Sequence, residues 1–383
     1  GLHKLLTHYR ERAEAVQAAR KKFLISRIGD LALLAMVSVV WWNWGTLDLH
    51  TLIAATSASA VTSANVVVSL LVVLAALTKS AQFPFHSWLP ETMEAPTPVS
   101  ALMHAGIINA GGVLLLRFAP ILVQTPWVLF GIAVVGMLTV LVGTFAMWAQ
   151  VKVKRSLAWS TVNQMGFMMV QCGLAAFPAA MLHIIGHGCY KAWSFLRSGQ
   201  VQALKRPAAA SPKQTLTAVA LGTVVAVPAV VLASWITGFS PLHSPGELAL
   251  TVILALSSGQ VWAALLRGPI AANHPLQRSG VAILVTFVGL LAAFTLYHLA
   301  GSFLTPVLGE WTAPTGAAAW AAGKVVVVGM IVLTVAHAFL PTLTHTAGGR
   351  AFRVHALHGF YFGAAADRLV SFIWKQPKGT NHA

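Results

Sequence analysis

This sequence has little charge, and acid is much scarcer than base. Charged residues make up 9% of its 383 positions, with nine Asp and Glu against twenty-five Lys and Arg. A soluble domain of that size needs far more charge to keep its surface wet, which excludes a water-soluble globular fold. Cysteine is nearly absent as well. Cys172 and Cys189 both fall inside apolar runs, which excludes a disulfide framework and a cysteine zinc site and leaves packing as their role. The chain opens without an initiator Met or a signal-peptide pattern. Residues 1–22 are polar and helical in character, so a longer native protein with further N-terminal helices is the expectation.

What the sequence has in abundance is apolar length. Hydrophobic residues reach 57% and mean hydropathy is +0.75. Runs of about 20 residues, each able to cross a hydrocarbon core of ~30 Å, recur along the chain. Ten spans are read, at 24–45, 61–83, 97–119, 126–148, 156–176, 180–200, 215–238, 247–266, 279–301 and 320–341. The fold class is therefore an all-α polytopic membrane bundle. A basic helix or linker (1–23) precedes the spans and an amphipathic docking tail (342–383) follows them. Within the tail, 356–374 mixes His358, Asp367 and Arg368 with Phe360, Tyr361 and Phe362, and reads as an interfacial helix or a docking segment.

The net charge of +16 does not point to nucleic acid, because the bases lie between spans. With a cytoplasmic N-terminus, the inside segments hold Lys4, Arg10, Arg12, Arg20, Lys21 and Lys22, then Lys152, Lys154, Arg155, Lys205, Arg206, Lys213, Arg267, Arg278, Arg350 and Arg353. The outside loops 46–60, 120–125, 177–179, 239–246 and 302–319 hold no Lys or Arg. That alternation obeys the positive-inside rule. Segment 84–95 breaks it: Glu91 and Glu94 sit on the inside among Pro84, Pro90, Pro96 and Pro98. Proline cannot sustain a helix ladder, so an irregular or re-entrant connection is expected between the second and third spans. Such breaks often sit beside ion sites.

Each ionisable residue inside a span asks for a reason. Lys79 ends an apolar run and can snorkel to the interface. His104 lies among Ala105, Gly106, Gly111 and Gly112, where a histidine is either a hydrogen-bonded core residue or a proton carrier. MLHIIGHGCYKAWSFL places His183, His187 and Lys191 at i, i+4 and i+8. They share one face within about 80° and extend about 12 Å along the axis. Three titratable groups in a row suit proton relay, since histidine titrates near neutrality and burial can bring lysine down. A hydrogen-bonded interhelical cluster is the alternative. Asn163 and Gln164 either line a path or knit helices together. Lys324, His298 and His337 are isolated and read as snorkelling or packing. An acid is missing from the spans: Asp30, close to the start of the first, is the nearest.

KSAQFPFHSWLPETMEAPTPVSALMHAG (79–106) closely resembles the signature of the antiporter-like proton-channel family, which includes large membrane subunits of respiratory complex I and Mrp-type Na⁺/H⁺ antiporters. VKRSLAWSTVNQMGFM (153–168), MLHIIGHGCYKAWSFLRSG (181–199) and ARKKFLISRIGDLALL (19–34) match further blocks in the family's order. The resemblance implies mostly 14 helices in two inverted five-helix repeats, each with a broken helix, of which this chain keeps the end of the first and all of the second. It makes Lys79 the lysine that pairs with a glutamate on an earlier helix, expected before Gly1. His104 becomes the link between half-channels, and His183, His187 and Lys191 the central relay. The uncharged span 215–238, with Pro228, departs from complex I subunits, which carry a lysine or glutamate near there.

The opening LHKLLTHYRERAEAVQAARKKFLISRIGD and the short tail look like the DabB branch, membrane subunits of bacterial DAB inorganic-carbon uptake complexes. That resemblance implies a bacterial inner-membrane protein with a soluble DabA-type partner, similar to a β-carbonic anhydrase, on its cytoplasmic face. Zinc is expected in the partner and no cofactor in this chain. H⁺ or Na⁺ flow would drive hydration of CO₂ to bicarbonate. A complex I or Mrp subunit is the rival reading, and a non-conducting anchor a third. Haem ligation is remote, because histidines at i and i+4 on one helix cannot take both axial positions of one iron.

Overall fold

The computed structural model describes residues 2–9, 11–200, 211–265, 275–309 and 311–374. Arg10, Lys205, Arg206, Arg267 and the side chain of Arg278, among the bases used for the loop pattern, lie outside the described residues, as does the tail beyond 374. Among the described residues all regular structure is helical. In order come α1 (Leu2–Leu6), α2 (Ala13–Trp44), α3 (Leu49–Ala58), α4 (Ser63–Lys79), α5 (Trp88–Glu91), α6 (Thr97–Ala105), α7 (Ala110–Arg117), α8 (Ala119–Leu122) and α9 (Pro126–Ala149). Then follow α10 (Val153–Gly173), α11 (Phe177–Leu196), α12 (Pro212–Thr237), α13 (Pro245–Leu265), α14 (Pro275–Leu308), α15 (Ala317–Leu343), α16 (Ala347–Leu357) and α17 (Gly363–Ile373).

Each of the ten expected spans coincides with a helix or, for α6–α7, with a broken pair. Seven of these are long and apolar enough to cross a membrane by length and composition: α2, α6–α7, α9, α12, α13, α14 and α15. The other three are α4, with 17 residues, and α10 and α11, which carry the polar residues of the relay. Successive helices run in alternating directions, so the connections gather at two ends. At one end Gly246 lies against the Leu174 carbonyl and Trp311 meets Phe177 at 5.9 Å between rings. At the other, basic end, Gln150 donates to the Leu357 carbonyl at 3.2 Å.

The tightest helix pair is α9 with α10, and glycine makes it possible. A Cβ on Gly166 would stand 2.9 Å from the Gly136 carbonyl oxygen, so the backbones nearly touch, as small residues allow between membrane helices. Around that seam Ile132, Met165, Met168 and Met169 are fully buried. Lipid-like exposure is seen elsewhere: α2 turns Leu31, Leu34, Trp41 and Trp42 outward.

Three elements take a more definite form than the sequence indicates. Residues 13–23, expected as a basic helix or linker, are the first three turns of α2, unbroken by Pro or Gly. The expected outside loop 46–60 contains α3, started by Asp48, whose carboxylate accepts from the Thr51 amide at 2.8 Å. The segment 356–374 is not one helix. It reverses at Phe360, which adopts φ 54°, and α17 then packs on α2 of the same chain.

The proline-rich connection is irregular, as expected, and it explains the two acids on the basic side. Glu94 meets Arg12 at 2.7 Å and Glu91 meets Lys21 at 2.6 Å. Lys21 is fully buried and also contacts Asp367 from α17 at 2.5 Å. One ammonium thus ties α2, the connection and the tail together. Burial pushes the Glu91 carboxyl upward, with Lys21 acting against it. His86, stacked on Phe83 and tilted against Trp159, is pushed down to about 4 by burial and by the nearby Lys21.

Candidate functional site

The site begins with a broken helix. α6 ends at Ala105, a tight turn covers Ile107–Asn109, and α7 resumes at Ala110. Asn109 donates to the freed Ala105 carbonyl at 2.7 Å. The carbonyl of His104 faces His187, whose Nε2 approaches it to 3.0 Å. The break therefore converts a backbone acceptor into a partner for the relay, as irregular backbone at membrane depth requires.

α11 carries the row as expected. The rings of His183 and His187 lie 5.9 Å apart, nearly parallel. His187 is buried between the His104 carbonyl and Gln164 Oε1, 3.0 Å from Nδ1. A carbonyl only accepts, so Nε2 carries a proton. Nδ1 then has two states: bare, with the Gln164 amide turned to donate, or protonated, donating to the Gln164 oxygen. A change of charge on His187 is thereby coupled to a side-chain flip on α10.

One turn further, Lys191 is fully buried. Its ammonium donates to the Leu157 carbonyl at 3.2 Å and to the Ser160 hydroxyl. Among the described residues no carboxylate lies within ion-pair distance of it. A buried lysine held only by neutral oxygens can lose its proton without leaving an unpaired anion behind.

His104, also fully buried, stacks on Phe195 at 4.4 Å. Thr161 donates its hydroxyl proton to the Leu157 carbonyl at 3.0 Å. Its oxygen therefore accepts from His104 Nδ1 at 3.0 Å. That leaves His104 Nε2 as a bare lone pair, without a partner among the described residues. His104 thus sits next to Lys191 and His187 through Leu157, Thr161 and its own carbonyl.

Lys79 lies apart from this cluster and meets an acid of this chain. Asp30 Oδ1 is 2.5 Å from Lys79 Nζ. Within the described residues, then, Lys79 has a carboxylate partner on α2. α2 begins at Ala13, eleven residues before the apolar run at 24, so Asp30 lies within the helix and faces the end of α4. Gly29 brings the helices together: a Cβ there would fall 2.1 Å from Thr78 Oγ1.

The remaining polar residues divide. Gln164 joins the row, whereas Asn163 donates to Thr144 on α9 and belongs to the helix seam. His298 and Lys324 are exposed. His337, expected to be isolated, stacks on Trp148 and lies 3.3 Å from Gln260 Oε1. Glu247, two residues into α13, accepts from the Tyr297 hydroxyl at 3.2 Å. Its position at the span boundary concealed it in the sequence.

Comparison with known proteins bears on the family and the fold. Residues 1–251 match the family described as NADH:quinone oxidoreductase/Mrp antiporter, transmembrane. A protein of Hydrogenovibrio crunogenus named "probable inorganic carbon transporter subunit DabB" is 35% identical over 301 residues, 74% of this chain and 57% of its own. The "probable inorganic carbon transporter subunit DabB2" of Halothiobacillus neapolitanus is 38% identical over 264 residues, 68% of this chain and 48% of its own. The chain thus spans about half the length of these relatives. The solved Mrp complex of Dietzia sp. DQ12-45-1b shares the fold, with TM-score 0.57 and 23% identity over 95% of this chain and 45% of that one. A broken helix facing a histidine–lysine row, inside a multi-pass helical bundle whose first two thirds match one family, identifies the chain: it belongs to the NADH:quinone oxidoreductase/Mrp antiporter transmembrane family.

Proposed function

We propose that this chain is a cation-conducting membrane subunit whose flow energises inorganic-carbon uptake. The observation that carries the reading is Lys191: fully buried, bonded to neutral oxygens, and in line with His187 and His183 on α11. When the cation is a proton, it enters from the base-poor end and protonates His183 and then His187. Rotation of Gln164 accommodates the charged ring, and Lys191 takes the proton onward toward the basic end. His104 offers its bare Nε2 as a branch acceptor beside Lys191. The Lys79–Asp30 pair near the basic end supplies a charge that biases whether Lys191 is loaded.

The likeness to DabB subunits supports the finer part of the reading. Flow down a proton gradient drives hydration of CO₂ to bicarbonate in a soluble zinc partner of DabA type, docked at the cytoplasmic, basic end, with the bundle in a bacterial inner membrane. Membership of the family supports a second reading, a pumping or antiporting subunit of a complex I or Mrp assembly. Purification of the native complex in mild detergent tests the choice. A co-purifying zinc protein, with Lys191→Ala abolishing bicarbonate accumulation by cells, upholds the first. Flavin, iron–sulfur or quinone-binding partners uphold the second. A normally assembled Lys191→Ala complex with full uptake contradicts both.

A further inference from the structure

Between α10, α11, α13 and α14, toward the base-poor end, lies a cavity of about 310 Å³. Most of its wall is apolar, with Phe167, Leu250 and Phe294 among its sides. His183 opens onto it as the outermost member of the relay row. Facing the same space is Glu247, the only acid among its lining residues. Glu247 is half-buried, and its carboxylate accepts from the hydroxyl of Tyr297 on α14 at 3.2 Å. The backbone around it is fixed too, since the Glu247 amide donates to Ser244 Oγ at 3.2 Å as the cap of α13. Gln171, also on the wall, keeps a buried Oε1 without a partner among the described residues.

An acid placed only for structure has no need of a cavity shared with a relay histidine. A carboxylate at the first turn of α13 gains some stability from the helix dipole, but a solvated position would give the same benefit without the burial cost. Beyond Lys213 in its first turn, at the opposite end, α12 carries no charged residue that could serve as an alternative proton-exchanging group.

We propose that Glu247, held by Tyr297, is the outward terminus of the path, and that the ion conducted is a proton. This rests on the conduction reading above. The carboxylate takes a proton from the base-poor side and becomes a neutral acid. It passes that proton to a ring nitrogen of His183 and regains its charge, and the imidazolium hands its other proton to the next group of the row. The ring spacing of 5.9 Å to His187 is one that a single bridging water covers. Sodium does not fit this row. A hard cation seeks several oxygen ligands, whereas the oxygens about the row (the His104 and Leu157 carbonyls, Ser160 and Gln164) are each already bonded to its imidazole and amine nitrogens, groups that hold protons.

The test uses membrane vesicles containing the native complex, with an imposed pH gradient and a pH-sensitive dye inside. Glu247→Gln preserves size and the acceptor for Tyr297 but cannot shuttle a proton. It is expected to lower proton uptake at least about tenfold at normal complex content, the scale of losing a proton-transfer group. Tyr297→Phe is expected to lower it severalfold, and replacing Na⁺ by choline is expected to change nothing. Wild-type rates in Glu247→Gln, with Lys191→Ala inactive, overturn the terminus and leave the conduction reading intact. Wild-type rates in both variants overturn the conduction reading itself. A flux that requires Na⁺ overturns the proton assignment. If Glu247→Gln fails to assemble, Tyr297→Phe decides: a severalfold loss upholds the proposal and an unchanged rate overturns it.

Discussion

Asp30 is shared between two cations: Oδ1 lies 2.5 Å from Lys79 Nζ, and Oδ2 is held by Arg27 one turn back on the same helix. Side chains at Lys79 and Asp30 are about one-third exposed, 29% and 30%. Pairs with that much exposure contribute at most about 1 kcal/mol to stability. A large functional effect from breaking this one would therefore report on conduction and not on folding. Asp30→Asn is expected to lower cation flux by about tenfold or more while thermal stability stays within about 1 kcal/mol of wild type. Parallel flux and melting measurements on the same preparation separate the two.

His86 gives the basic end a pH-dependent stability. Its folded value is about 4 against an ordinary 6.5, through burial and Lys21. The unfolded chain binds the proton as pH falls through 6.5, and the folded chain refuses it until about 4. Stability is therefore full above 6.5 and declines between 6.5 and 4, by roughly 3 kcal/mol in all at 1.36 kcal/mol per unit. Melting of the detergent-solubilised protein across that range should show the slope, and His86→Phe should flatten it.

Lys21 is expected to clamp the tail. With Glu91 at 2.6 Å and Asp367 at 2.5 Å, its removal leaves two facing carboxylates; because each is one-third exposed, the loss is about 1–3 kcal/mol, below that of a fully buried pair. Lys21→Met should release α17 from α2, read as faster proteolysis near 363–373. Adding Glu91→Gln and Asp367→Asn to Lys21→Met should restore resistance, because two unpaired carboxylates then no longer face each other.

Neighbouring amides on α10 should behave differently. Gln164 contacts His187, whereas Asn163 contacts Thr144 on α9. Gln164→Leu is expected to lower flux by about tenfold, and Asn163→Ala to leave it within about twofold. Equal effects from both would argue that the row acts only through helix packing.

Much of this was legible in the sequence. Apolar runs located ten helices, because membrane-length hydrophobicity is a strong signal. The i, i+4, i+8 spacing located the row of His183, His187 and Lys191 for the same geometric reason that puts them on one face. What escaped were groups whose meaning depends on another helix. Asp30 and Glu247 sit near span boundaries, where an acid usually means a solvated end, and only the approach of α4 or α14 gives them partners. The Lys21 clamp joins residues 70 and 346 positions distant. The His104 carbonyl became a ligand only because the helix breaks after Ala105, and a sequence shows proline-driven breaks far better than one at Gly106.

Substituting Lys191 by arginine tests the central claim most directly. Arginine keeps the positive charge and hydrogen-bond donors but does not release its proton in proteins. If Lys191 conducts by loading and unloading, vesicles with Lys191→Arg show the same loss of proton uptake as those with Lys191→Ala, at normal complex content. If arginine restores uptake to the wild-type rate, the buried cation is structural and the relay account is wrong.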